Sequence, residues 1–267
     1  MSIGMNKDEI NAASELAKEV IKPVYEDAIK PAALEVGQSL RTISGMINVA
    51  LTPVAVMVHG FKIIEENLKT RLENKLSNVK SENIVEPPLS VVGPLIDKYK
   101  YAYDNQYLSE MFVNLLACAM NKDKIQNAHP SFVNIISELS SDEAKLIKTI
   151  SKESFLPKID LKLELDSGNG YIIIYSDFTL LGEIASLDNA DLTPSYLNNL
   201  RRLGIINYSD TMSETYTKES VYEELINHQN IKRLIETYPK DSKITTQKGI
   251  IKITNFGRMF ISAVIRD

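Results

Sequence analysis

Few residues of this chain have the type and spacing that bond-making chemistry needs. Histidine occurs three times, at His59, His129 and His228, and no two stand at the i,i+4 spacing that presents a pair of imidazoles to one zinc ion. Cys118 is the single cysteine and lies in the apolar run MFVNLLACAM. It reads as a small core residue, not a thiolate nucleophile, and no intrachain disulfide can form. Asn121, Asp123, Asn127 and His129 share one loop whose polar atoms could coordinate a ligand. Turn formation and helix capping use the same residue types and are a sufficient explanation. The glycine signatures GxGxxG, GxxxxGK[ST] and GxSxG do not occur, and the acidic residues form no DxD pair. The expectation is a protein that is not an enzyme and has no catalytic residues, no metal and no cofactor.

Contact chemistry has more to work with. From Thr42 to Phe61 the sequence TISGMINVALTPVAVMVHGF holds 20 residues without Lys, Arg, Asp or Glu. A bilayer span needs about 20 apolar residues. Pro53 in the middle removes a helical hydrogen bond, and Gly45 and Gly60 weaken the ends, so two helices meeting near Thr52 and Pro53 are expected. A buried helix pair inside a bundle is the first reading. Conditional insertion into a membrane is the second, with Val54, Val56 and Val58 as the residues that would touch lipid or a protein partner.

The elements around that stretch are legible from their periodicity. Residues 6 to 36 read as an acidic amphipathic segment punctuated by Pro23 and Pro31. In FKIIEENLKTRLENKLSNVK, Ile64, Leu68, Leu72 and Leu76 recur every four residues, which makes helix 62–79 a narrow apolar stripe and a surface for homo-oligomerisation. Pro87, Pro88, Gly93 and Pro94 read as a break between helices, with the next helix starting at Pro94. Leu108, Met111, Phe112, Leu115, Leu116 and Ala119 share one face of a core helix. Phe132, Ile135, Ile136 and Leu139 do the same in the next, and Ser140 with Glu143 forms a capping box.

The pattern changes after Ser154. KIDLKLELD alternates Ile159, Leu161, Leu163 and Leu165 with charged residues, the period of a half-buried strand, and YIIIY follows a turn at 167–170. That predicts a hairpin. A helix with Thr193 as N-cap and Pro194 in its first turn should end at Gly204. GIINY reads as a short strand, VYEELINHQNIKRLIETY as one helix, and SKITTQKGIIKIT as two short strands around Gln247, Lys248 and Gly249.

Helix, helix, strand and strand pair over 177–254 is the order of a winged helix, whose second helix would be 194–203. Arg201 and Arg202 there, and Lys248 on the wing, are the residues that could meet nucleic acid. Acidic residues slightly outnumber basic ones in this half, and the whole chain of 267 residues carries a net charge of −5. DNA-binding domains are clearly basic, so nucleic acid is not the favoured partner. Hydrophobic content of 44% and charged content of 24% are those of a globular protein with a sizeable core. The opening MSIGMNKDEINAASEL lacks the apolar core of a secretory signal, so cytoplasm is the expected location, with conditional membrane association.

Several of these segments together resemble a bacterial family named abortive infection alpha. They are YEDAIKPAALEVGQSL, NVALTPVAVMVHGFKIIEENLKTRLENKL, ENIVEPPLSVVGPLI, YLSEMFVNLLACAMNK and AHPSFVNIISELSSDEAKLIK, then YSDFTLLGEIA, YLNNLRRLGII and IKITNFGRMFISAVI. The resemblance spans most of residues 25 to 265 and implies phage defence by abortive infection. It brings no catalytic residues with it. The combined expectation is a mainly α fold. An N-terminal helical bundle (1–152) precedes a small α+β winged-helix-like domain (155–267) with a helical insertion around 210–240. It would act without catalysis, through contact with a protein partner or phage component, a second copy, or a membrane. The alternative is a winged-helix DNA-binding regulator.

Overall fold

The computed structural model describes residues 61–165, 170–209 and 219–265. The apolar stretch 42–60, with Val54, Val56, Val58 and His59, lies outside them, as do the acidic segment before it and most of the 167–170 turn. The chain divides into two compact units. Their described parts are residues 61–103 with Leu115–Ala128, and Asp104–Asn114 with 129–165, 170–209 and 219–265.

In the first unit, α1 (Phe61–Leu76) buries Ile64, Leu68, Leu72 and Leu76, as their four-residue spacing predicts. The stripe is therefore buried rather than displayed. Helix α2 (Leu89–Tyr99) buries Val91, Val92, Leu95, Ile96 and Tyr99, and the Tyr99 hydroxyl donates to Asn67 Oδ1 at 2.9 Å. This helix corrects the expected break, because Gly93 and Pro94 lie inside it and only Pro87 and Pro88 precede it. Pro94 sits on the exposed face, and the carbonyl it leaves without a donor belongs to exposed Ser90. Water can satisfy that carbonyl, while burial of four aliphatic side chains holds the helix. Helix α3 (Gln106–Ala119) contributes its C-terminal part here, with Leu115, Leu116, Ala119 and Cys118 buried. The Cys118 thiol donates to the Lys124 carbonyl at 3.3 Å.

The second unit takes the start of α3, then α4 (Ser131–Ser137) and α5 (Ser141–Ile150). Both halves of the capping box form at α5: Glu143 N–H donates to Ser140 Oγ, and Ser140 N–H to Glu143 Oε2 at 2.7 Å. The hairpin follows as β1 (Pro157–Glu164) and β2 (Tyr171–Phe178). Next come α6 (Leu181–Ile184), α7 (Thr193–Arg202) and β3 (Ile206–Ser209). Thr193 is the first helical residue, not the N-cap; its hydroxyl donates back to the Ala190 carbonyl at 2.6 Å. Gly204 ends α7 with φ 74°, a conformation that costs glycine little.

Where one helix is expected there are two, α8 (Glu219–Ile226) and α9 (Gln229–Glu236). His228 separates them, because its ring Nδ1 accepts from Asn230 N–H and so caps α9 at the residue where α8 has stopped. Then β4 (Ile244–Ile253) runs as one continuous strand, not two. It is central, in a sheet of order β2-β1-β4-β3 with all pairs antiparallel, and its pairing with β1 runs unbroken from Ile244 through Gly249 to Ile250. Helix α10 (Asn255–Val264) closes the chain, capped by Thr254.

Among the described residues the fold is thus mainly helical with one small antiparallel sheet. One sheet face carries Ile159 and Leu161, which form a core with Phe178, Tyr222, Leu225 and Ile231. Phe132 anchors a second aromatic group, with Phe256 and Phe260 rings edge-on at 5.2 and 5.1 Å.

Candidate functional site

The opposite face of the same sheet holds the densest set of buried charges. Alternation along β1 sends Ile159 and Leu161 one way and Lys158 and Asp160 the other. Read from sequence, that second set is a solvated face. In the structure Lys158 and Asp160 are buried, the Lys158 side chain being only 4% exposed. Its ammonium lies 2.8 Å from Asp160 Oδ2 and 3.0 Å from Asp177 Oδ1.

Three local features make room for that ammonium. Gly249 stands opposite Lys158 on β4 and adds no side chain there. The β1–β2 register slips between Ile159 and Leu161, a bulge, and Asp177 within it adopts φ 58°. Asp tolerates this left-handed conformation better than most residues. Its N–H donates to Asp160 Oδ1 at 2.7 Å while its carboxylate faces Lys158. The Tyr208 ring closes the group, with Lys158 Nζ 4.8 Å and Arg201 Cζ 4.9 Å from its centroid.

The electrostatics decide what this cluster can do. Burial alone would lower the Lys158 pKa, but hydrogen bonds and charge from Asp160 and Asp177 outweigh it and hold the group above its ordinary 10.5. A lysine held cationic is not the neutral amine that a Schiff base or a general base requires. Burial, then the Asp177 carboxylate, pushes the Tyr208 hydroxyl well above the usual phenol range, so it too keeps its proton. The cluster is suited to fixing the β1–β2 pairing across a bulge, and so to aiming β2.

A second polar junction joins α5 to the segment before α7. The buried Asp142 carboxylate accepts from Asp188 N–H and Asn189 N–H, each at 3.0 Å, and from the Tyr196 hydroxyl at 3.3 Å. Lys145 bridges Asp142 at 3.2 Å and Asp188 at 2.9 Å. Glu143, besides closing the capping box, accepts from Asn199 Nδ2 at 2.7 Å.

What β2 presents is apolar and open. It is an edge strand. Tyr171, Ile172 and Ile173 are 53, 53 and 52% exposed, and Leu165 across the hairpin is exposed as well. Neighbouring residues on a strand point to opposite faces, so both faces are about half open here. Ile174 and Tyr175, further along, pack against the core.

The residues singled out from sequence for nucleic acid are all engaged within this unit. Arg202 pairs with Glu138 at 2.6 Å and with Asn199. Lys248 is bonded to Glu219 and lies 5.4 Å from the Tyr222 ring. Arg201 is exposed but stacked on Tyr208. The polar loop resolves into turn chemistry: Asn121 Oδ1 accepts from Asp123 N–H at 2.9 Å, and Asn83 Nδ2 donates to Asp123 Oδ2 at 2.8 Å. His129 bonds Ser131 and packs beside Phe132. His228 bonds Glu183 at 3.1 Å. Among the described residues no group of three or more His, Cys, Asp or Glu could hold a metal, and no helix is long and apolar enough to cross a membrane. Sequence reading missed the Lys158 cluster and the β2 edge. The available signal was Gly249 opposite a charged strand residue, and the absence of any charge in YIIIY.

Set against known proteins, residues 60–264 match the sequence pattern described as abortive infection alpha. The chain belongs to that family. Membership in abortive infection alpha places the protein, at a general level, in defence against phage. No curated protein matches it. A solved structure of an uncharacterised protein from the hydrocarbon-degrading marine bacterium Alcanivorax borkumensis SK2 is 18% identical and covers 54% of this chain and 96% of its own, with a TM-score of 0.37. That likeness is too slight to carry an argument.

Proposed function

We propose that this abortive infection alpha protein limits phage through protein contact rather than bond-making or bond-breaking, with the Tyr171–Ile173 edge of β2 as its contact surface. One observation carries the reading: three consecutive large apolar residues stand open to solvent on an edge strand whose neighbours are pinned by a buried ion cluster. Exposed apolar edges recruit other chains unless charge, proline or a covering element blunts them. An edge already ordered in a sheet loses less freedom on binding than an unstructured segment does. The setting is the cytoplasm, where a phage component made after infection would be met. The test is infection of cells with and without the protein. Progeny phage per infected cell should fall while infected cells still die; an unchanged yield would end the reading.

A winged-helix regulator of DNA is the second reading, favoured by the order α6, α7, β3, β4 with α8 and α9 inserted. The engagement of Arg202 and Lys248 with Glu138 and Glu219 speaks for a structural use of these cations. The expected result of a gel-shift titration is therefore no salt-sensitive DNA complex. A shift by the wild type that Arg201→Ala with Arg202→Ala abolishes would favour the regulator instead.

A further inference from the structure

We propose that the free edge of β2 pairs with β2 of a second copy of this chain, antiparallel about a two-fold axis passing at Ile172. The pairing builds on the contact reading above and supplies its partner. Its basis is self-complementarity. About that axis Tyr171 of each copy stands opposite Ile173 of the other, and Ile172 opposite Ile172. Aromatic and β-branched residues directly opposite each other are favourable cross-strand pairs. No like charges confront one another, because YIIIY carries none.

The charges nearest the edge lie on β1, one strand back from the seam, and do not oppose the pairing. Within one copy Glu164 pairs with Tyr171 and Lys162 with Ile173 across the β1–β2 ladder. A row running across the four strands of the dimer would then read Glu164, Tyr171, and Ile173 and Lys162 of the second copy. Each row starts with a carboxylate and ends with an ammonium, and the two-fold repeats it in the opposite sense. Lys162 Nζ already lies 3.8 Å from the Tyr171 ring centroid, so its stem and charge help support the pairing face.

The length of the usable edge is limited. The second register slip, between Leu161 and Lys162, turns the strand beyond Ile173, and Ile174 and Tyr175 pack against the core. Only Tyr171–Ile173 is straight and open. An isologous contact consumes this edge once per copy, so the product is a closed dimer, not a filament.

Sedimentation velocity of the full chain over a micromolar concentration series tests this. The wild type should show a reversible monomer–dimer equilibrium, and Ile173→Lys should raise its Kd by about tenfold or more. Because Ile173 is exposed, the variant should keep the wild-type circular dichroism and melting temperature. Ile172→Cys should form an intermolecular disulfide on mild oxidation, while Leu89→Cys, on an exposed position of α2, should not. A wild type that stays monomeric throughout, or a dimer indifferent to Ile173→Lys, overturns the pairing. The contact reading fails differently. If the variant is monomeric yet still limits phage, the edge is a dimer surface without a role in defence. If the wild type is monomeric but Ile173→Lys abolishes defence, the edge serves a different partner.

Discussion

Lys158→Met should lower stability by about 3–5 kcal/mol, because it leaves the Asp160 and Asp177 carboxylates buried side by side without their cation. In a unit of this size that is a fall of roughly 10 °C in melting temperature. The pH dependence has a definite sign. Lys158 is held above its unfolded value of 10.5, so its contribution is complete below that pH and is lost as pH rises through the folded value. The Lys158 contribution should therefore be lost only in strong alkali, and Lys158→Met should lack that part of the alkaline loss. Adding Asp160→Asn and Asp177→Asn to Lys158→Met should recover more than half of the loss, since the buried charge is then gone and Asn accepts the φ 58° conformation at 177. Thermal melts of the single and triple variants decide the matter. A single variant as stable as wild type would mean the cluster is not the clamp described here.

Asp142→Ala should cost roughly 2–4 kcal/mol by stranding the Asp188 and Asn189 N–H groups that its two oxygens now accept. Asp142→Asn keeps one acceptor oxygen and should cost less. Burial would raise the Asp142 pKa, but the two backbone donors and Lys145 outweigh it and hold the group below its ordinary 3.8. Its contribution is therefore complete above pH about 3.8 and disappears as pH falls through the lower folded value. Urea midpoints of wild type and Asp142→Ala should differ at pH 7 and converge in strong acid. Midpoints that coincide at pH 7 would show that the loop before α7 is held by other contacts.

The two variants bear on different parts of one arrangement. Asp142 seats the segment leading into α7, and Arg201 of α7 stacks on the Tyr208 ring that covers Lys158. Lys158 in turn pins the bulge from which the exposed half of β2 departs. Loss of either anchor should loosen the edge before the rest of the sheet, which hydrogen exchange at Tyr171–Ile173 would register.

How far the sequence foretold this differs by element. The four-residue spacing from Ile64 to Leu76 and the Ser140–Glu143 box were legible because each depends on neighbours within one turn. The hairpin was legible because alternation over KIDLKLELD has no helical counterpart. The buried side of that same strand was not, since alternation reports two faces but not what covers each. Lys158 and Asp160 looked solvated until Tyr208, some fifty residues on, was seen to cap them. The Gly93–Pro94 pair looked like a break because local propensity forbids it, and core burial by Val91, Val92, Leu95 and Ile96 overrides that preference. The His228 cap was illegible for the converse reason: apolar periodicity continues across it, and only the side-chain bond to Asn230 marks the boundary. The strand YIIIY was legible, but its place at the open edge was not, because exposure depends on which strand ends the sheet.

Phage yield per infected cell, compared between cells making wild type and cells making Ile173→Lys at equal levels, tests the central claim most directly. Contact through the β2 edge predicts that wild type depresses the yield and that the variant, folded and equally abundant, restores it toward that of cells without the protein. Equal depression by both would contradict it, and the defence would then have to be sought on another surface of the molecule.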